Sequence, residues 1–103
     1  MKIGTDIVYI PKFRRLMENE MFIKKVFHRP ECKDYRAEHL AGVFAAKEAF
    51  FKAVNKKPEW LKVEVRKQKG GRPLLVTEFD GMKDVDVSIS HDKDYAMATV
   101  VIK

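Results

Sequence analysis

The stretch Glu38–Val54 constrains this chain more than any other, because its apolar residues recur at helical and not at strand spacing. Leu40, Val43, Phe44, Lys47, Phe51 and Val54 fall on one stripe at steps of three and four. Ala41, Ala45, Ala46, Ala49 and Ala53 raise helix propensity and let neighbours approach closely. A stripe this broad has to be covered, so the flanking segments must supply the elements that lie against it.

Upstream, Lys2–Val8 alternates Ile3, Thr5 and Ile7 with Gly4, Asp6 and Val8, which predicts a short strand with an acid near its end. Pro11 opens a helical pattern in which Ile10, Phe13, Leu16 and Met17 share a face; Pro suits a first helical turn, where its missing N–H costs nothing. Met21–Phe27 reads as a second short helix, and Pro30 opens a third over Glu31–Arg36. After a turn at Asn55–Glu59 the period changes to two. Val63 and Val65 alternate with Glu64 and Arg66, Gly70-Gly71 makes a turn, and Leu74–Thr77 returns. Val85–Ser90 and Tyr95–Ile102, joined by a turn at His91–Asp94, complete an antiparallel meander. This order predicts an α+β fold in a single domain over residues 1–103: an N-terminal strand, several helices, and one long helix packed on an antiparallel sheet.

With 103 residues there is room for one modest core, and an oligomer would add buried surface that a chain this small can use. The net charge of +6, from 21 Lys+Arg against 15 Asp+Glu, favours an anionic partner without choosing among nucleic acid, phosphate-rich ligand, acidic protein and membrane. Cys32 is the only cysteine, which excludes an intrachain disulfide and a cysteine zinc cluster, and His28, His39 and His91 lack the spacing of a metal triad. No run approaches transmembrane length and no signal-peptide core follows Met1, so a cytoplasmic protein is expected.

Several features stand out against this background. Lys47 lies in the apolar stripe, either as a lysine snorkelling from its edge or as part of a site with Glu48 and Lys52. Glu48 and Lys52 are one turn apart; they form a surface ion pair, or a carboxylate flanked by two lysines that holds a divalent cation and a phosphate together. Asp6 ends its strand either as a helix N-cap or as a metal ligand, with Glu48 as the second oxygen donor if the long helix crosses that strand. His91 is a solvent-facing turn residue or a phosphate donor, and Gly70-Gly71-Arg72-Pro73 has no Walker spacing.

Taken together in order, these residues resemble a known family. Ile3-Gly4-Thr5-Asp6-Ile7-Val8 is similar to the first signature of the bacterial holo-acyl-carrier-protein synthases, which are small 4′-phosphopantetheinyl transferases. Phe44-Ala45-Ala46-Lys47-Glu48-Ala49-Phe50-Phe51-Lys52 resembles the second, F-x-x-K-E-A-x-x-K. Leu40-Ala41-Gly42, Gly71-Arg72-Pro73, Val87-Ser88-Ile89-Ser90-His91 and Tyr95-Ala96-Met97-Ala98 follow the family order, so the likeness runs over nearly the whole chain.

The resemblance implies transfer of 4′-phosphopantetheine from coenzyme A to a serine of apo-acyl carrier protein, with 3′,5′-ADP as the other product. It implies Mg²⁺ held by Asp6 and Glu48, and catalytic roles for Glu48 and Lys52, with Glu48 a candidate base for the serine. It implies coenzyme A contacts from Phe44, Lys47, Lys52, Arg72, Pro73 and His91. It also implies docking of an acidic carrier protein on Lys12, Arg14, Arg15, Lys24 and Lys25, and a homotrimer with each active site between protomers. The chain departs from the family pattern at Val43, at Tyr9 and in the short loop Asn55-Lys56-Lys57-Pro58, where Lys56 and Lys57 offer themselves to coenzyme A phosphates. Two other readings compete: a carrier-protein binder without catalysis, and a basic nucleic-acid-binding module. The second leaves the paired acids Asp6 and Glu48 without a purpose, and neither nucleic acid nor membrane is the expected partner.

Overall fold

In the computed structural model, which describes residues 1–82 and 84–103, the chain runs β1 (Lys2–Tyr9), α1 (Ile10–Leu16), α2 (Glu20–Val26), a 3₁₀ turn at Arg29–Cys32, α3 (Ala37–Val54), a second 3₁₀ turn at Trp60–Lys62, then β2 (Val63–Lys67), β3 (Pro73–Thr77), β4 (Val85–Asp92) and β5 (Tyr95–Ile102). The expected α+β order holds. The meander does not: the strands divide into a three-stranded antiparallel sheet ordered β1-β5-β4 and a separate β2-β3 hairpin. The N-terminal strand pairs with the C-terminal one along its full length, from Lys2 opposite Ile102 to Tyr9 opposite Tyr95. Among the described residues no helix is long and apolar enough to cross a membrane.

α3 is the spine, and it is buried on nearly every side. Its larger residues and the small helices form one cluster, in which Leu40 and Val43 meet Ile10, Phe13, Val26 and Phe27. Its alanines lie on the sheet, where Ala45, Ala46, Ala49 and Phe50 meet Val87, Ala98 and Val100. The apolar stripe therefore crosses both buried faces, its Phe51 and Val54 joining the sheet-side cluster, and Ala45, Ala46 and Ala49 are what let a sheet come close. Each fully buried Phe or Leu contributes about 1.5–3 kcal/mol. The helix ends where Asn55 turns left-handed at φ 55°, letting the Lys56 N–H reach the Phe51 carbonyl at 3.1 Å.

The segment Glu31–Arg36 does not form the expected helix. After the single 3₁₀ turn, Asp34 Oδ1 accepts from the Arg36 backbone N–H at 3.2 Å and the Arg36 guanidinium closes on the same carboxylate. This local bonding competes with the helical ladder and redirects the chain into α3. The second short helix starts one residue earlier than its apolar pattern, because the Asn19 side chain caps it by accepting from Met21 N and Phe22 N.

Gly4 decides how close α3 lies to the sheet. A Cβ there would run into the Ala49 carbonyl oxygen and come within 2.9 Å of the Ala53 nitrogen, both backbone atoms that cannot step aside. Gly4, Asp6 and Val8 face the helix, so Ile3 and Ile7 stand 68% and 64% exposed on the other side of the sheet. Gly4→Ala should therefore lower the melting temperature by more than about 10 °C, an overpacking cost on the order of 3 kcal/mol. Gly42→Ala should cost clearly less in the same thermal scan, since only the Ile89 Cγ2 methyl, 2.8 Å from the added carbon, has to yield.

Candidate active site

Asp6 sits one strand repeat beyond Gly4 on the same face, so the close contact that Gly4 permits carries its carboxylate to α3. The helix presents Glu48 and Lys52, one turn apart, at that level. Lys52 Nζ donates to Asp6 Oδ1 at 2.9 Å and to the Thr5 carbonyl at 3.2 Å. Asp6 is 9% exposed at its side chain, and Lys52 bridges helix to strand in place of the expected pair with Glu48. Asp6 is not a helix cap: α1 is preceded by Tyr9 and has no side-chain cap.

Glu48 lies against Asp6 with its own charge poorly hydrated. Burial first, then the Asp6 charge and a hydrogen bond between the two carboxyls, push the Glu48 pKa up to about 7, against the opposing pull of Lys52. The Lys52 ammonium is in turn held above the usual lysine range, chiefly by its hydrogen bond to Asp6. A carboxyl held above its usual range beside a second carboxylate is a donor set that a small divalent cation would relieve. They are two oxygen ligands with room for substrate and water, the style in which Mg²⁺ is held. Among the described residues no group of three or more His, Cys, Asp or Glu forms a cage, so a cation here would take further ligands from what it binds.

Glu48 stands between two clefts. One, of about 480 Å³, is lined by Glu48, Lys52, Lys56, Lys57, Pro58 and Trp60, with Phe51 and Asn55 beneath. Its three lysines against one carboxyl suit a polyanion, and they offset the negative end of the α3 dipole. The other, of about 380 Å³, runs from Asp6 and Glu48 past Phe44, Tyr9, Lys12, Phe13 and Leu16. Phe44 forms part of the wall between them, packed at a tilt on Trp60 at 5.2 Å and on Phe13 at 5.6 Å. Lys12 borders the second cleft, and Arg14, Arg15, Lys24 and Lys25 extend an exposed basic surface along α1 and α2 beside it.

Lys47 is the clear correction. It does not snorkel and it does not face either cleft: its side chain has no exposure, and its ammonium donates to the Val26 carbonyl at 2.6 Å, to Glu31 Oε1 at 2.8 Å and to the Trp60 carbonyl at 3.4 Å. All its donors are taken, so none is left for a phosphate. Burial pulls its pKa down and Glu31 opposes that. Glu31 was invisible as a site residue in the sequence; its one signal is a carboxylate three residues after a helix-preceding histidine, where its Oε1 accepts from the His28 N–H at 2.7 Å.

Pro73 and His91 are brought together, but elsewhere. With His39, Val43, Lys67 and Gly71 they line a cleft of about 190 Å³ beside the N-terminal half of α3, which shares no residue with the two clefts at Glu48. Arg72 is exposed and reaches Asp86 at 3.5 Å. Within one chain, then, these three residues do not join Asp6, Glu48 and Lys52.

The 4′-phosphopantetheinyl transferase superfamily matches this chain over residues 2–100. Holo-[acyl-carrier-protein] synthase of Wolbachia sp. subsp. Drosophila simulans (strain wRi) is 36% identical, covering 97% of this chain and 95% of that protein. The enzyme of the same name from Geobacillus sp. (strain WCH70) is 34% identical over 98% and 94%. The crystal structure of Helicobacter pylori holo-[acyl-carrier-protein] synthase in complex with coenzyme A has a TM-score of 0.90 at 30% identity, covering 98% of this chain and 99% of that one. The Bacillus anthracis str. Ames structure, in complex with CoA (3′,5′-ADP), has a TM-score of 0.86 at 33% identity, covering 98% and 94%.

The raised pKa of Glu48 gives a stability test. The folded state holds the proton up to about pH 7 while the unfolded chain releases it near 4.5, so stability falls as pH rises between those values and the full penalty applies above. Glu48→Gln removes the penalty. In EDTA the variant should melt a few degrees above the parent at pH 8, a gain of about 1 kcal/mol after allowing for solvent screening, and the gain should vanish once the pH falls below the unfolded value of 4.5. Paired thermal scans decide it; a variant less stable at pH 8 would mean that the Glu48 charge is not strained.

Proposed function

The chain belongs to the 4′-phosphopantetheinyl transferase superfamily, and from that premise we propose that Asp6, Glu48 and Lys52 form its catalytic centre. The chain transfers 4′-phosphopantetheine from coenzyme A to a serine of apo-acyl carrier protein, releasing 3′,5′-ADP. The observation that carries the catalytic assignment is the meeting of the two carboxyls, one from β1 and one from α3, at the junction of a lysine-lined cleft and a mostly apolar one.

Asp6 and Glu48 would hold Mg²⁺ between them, where the ion would offset pyrophosphate charge. The residues do the rest. Lys52, fixed by Asp6 and the Thr5 carbonyl, lies where it can neutralise charge that develops on the departing 3′,5′-ADP. Glu48 takes the proton from the serine hydroxyl as its oxygen bonds to the phosphorus carrying pantetheine and the bond from that phosphorus to the ADP oxygen breaks. Phe44 supports the wall along which the donor lies, and Lys56 and Lys57 face the same cleft as Lys52. The exposed Lys12, Arg14, Arg15, Lys24 and Lys25 are the docking surface for an acidic carrier.

The chain, acting as one domain over residues 1–103 in the cytoplasm, would work as a homotrimer. Two observations support that. Ile3, Ile7, Tyr9, Tyr95 and Met97 leave the outer face of the three-stranded sheet apolar and exposed. The cleft of Pro73 and His91 needs a neighbour to meet an acid pair, and there Arg72, Pro73 and His91 would contact coenzyme A.

Incubation with apo-acyl carrier protein, coenzyme A and Mg²⁺ should raise the carrier mass by one phosphopantetheine. EDTA or Glu48→Gln should abolish the gain, and Asp6→Asn should raise the Mg²⁺ concentration needed more than it lowers the melting temperature. A carrier of unchanged mass with the parent chain, across several carriers, would refute the transferase reading. Separately, Ile7→Lys with Met97→Lys should shift the elution volume from trimer to monomer and reduce kcat/KM by at least about a hundredfold if half of each site comes from a neighbour. An active monomer would remove the shared site.

A further inference from the structure

We propose that Lys47 and Glu31 are positioning residues, a buried ion pair that fixes Trp60 and so shapes the wall of the donor cleft. The inference takes its substrate from the transferase reading above, but the pair itself stands on geometry alone. Both side chains are fully buried. Glu31 collects the His28 N–H and Lys47 on Oε1 and the Val65 N–H on Oε2, at 2.7, 2.8 and 2.7 Å. Lys47 adds the Val26 and Trp60 carbonyls, and its ammonium lies 5.5 Å from the centre of the Phe27 ring. One ion pair thus ties the end of α2, the first 3₁₀ turn, α3, the second 3₁₀ turn and β2.

Of these, the second 3₁₀ turn is the one that, besides α3 itself, lines the site. Trp60 begins it, lines the lysine cleft with Glu48 and Lys52, and packs its ring on Phe44 at 5.2 Å and on Phe51 at 6.0 Å. The segment before it, from Asn55 to Glu59, is exposed throughout, and among the described residues its side-chain anchors are the Lys62–Glu59 pair at 3.2 Å and the Lys56 ammonium 5.4 Å from the centre of the Phe79 ring. What holds Trp60 to the helix is the packing of its ring and the Lys47 ammonium on its carbonyl. The sequence places Lys47 beside Glu48, yet the helical step of about 100° sends them to opposite tasks: one holds the wall, the other faces the reacting groups. Loss of the ammonium should loosen donor binding and leave the proton and charge handling of Glu48 and Lys52 intact.

Lys47→Met alone strands the Glu31 charge and is expected to unfold the chain readily. The informative variant is Lys47→Met with Glu31→Gln, which removes both charges and keeps an oxygen to accept a backbone N–H. It should fold, with KM for coenzyme A raised about tenfold and kcat within about threefold of the parent. Trp60 is the only tryptophan, so its emission reports the wall directly and should move to longer wavelength in the double variant, with a weaker response to added coenzyme A. Glu31→Gln alone strands the Lys47 charge in the same way and is expected to be destabilised like Lys47→Met, so the double variant carries the test. A folded double variant with parental KM and parental emission would overturn the proposal. So would a fall in kcat with KM unchanged, which would put Lys47 at the reacting phosphate. If the parent chain transfers nothing, the transferase reading fails by itself, and the emission of the double variant still decides whether the pair holds Trp60.

Discussion

A lysine ammonium and a carboxylate sealed together in the interior organise the helical half of this molecule. Removing two such charges from water costs several kcal/mol each, and their attraction recovers that only where every remaining hydrogen-bonding position is met. Here it is met: the ammonium has three acceptors and the carboxylate three donors, four of those six partners being backbone groups and the other two each other. Apolar packing alone would allow the short helices and 3₁₀ turns to slide over α3. Directional bonds to named carbonyls and amides leave one arrangement, and the aromatic cluster of Phe13, Phe22, Phe27, Phe44 and Trp60 packs within it.

The sheet half is organised by absence of a side chain. With no Cβ at Gly4, strand backbone lies directly on helix backbone, and the alanines at 45, 46 and 49 extend that contact. The functional consequence is distance. Asp6 has a short side chain, and it reaches the level of Glu48 and Lys52 because the two backbones are already close. The same closeness desolvates Glu48, so the packing that builds the site is also what raises its pKa. Strain of this sort at a site is expected where charge must be ready to be neutralised by a ligand.

Much of this was legible in the chain. The long helix, the opening strand with Gly4 and Asp6 on one face, and the β hairpin turning at Gly70-Gly71 all follow from period and from glycines that here take φ of 96° and 89°. The meeting of Asp6 with Glu48 was legible only through motif order, since no periodicity says which strand a helix will cross. Lys47 was misread because a K-E pair in a motif looks like one site; period told that it lay in the buried stripe, but not that a carboxylate sixteen residues earlier would be there to receive it. The Glu31–Arg36 helix failed for a related reason: side-chain bonds from Asp34 and Glu31 to backbone N–H groups outbid the ladder, and such local competition leaves little trace in hydrophobic pattern.

The apolar outer face of the sheet and the two separated halves of the predicted coenzyme A contacts bear on one another. A strand whose inward face carries Gly4 and Asp6 spends its bulky residues, Ile3 and Ile7, on the outside, where they meet Met97 and Val101 across the ladder. That choice weakens a lone chain, because exposed Ile and Met bring no burial of their own. It becomes favourable if a second copy covers the face, and the residues then brought to the seam would include those nearest the edge strands β1 and β4. Asp6 is on the first and His91 on the second. The exposed apolar residues lie on β1 and β5, with Asp6 on the edge strand β1 and His91 on the edge strand β4, so in the proposed trimer a single contact would both cover the bare face and complete the divided site.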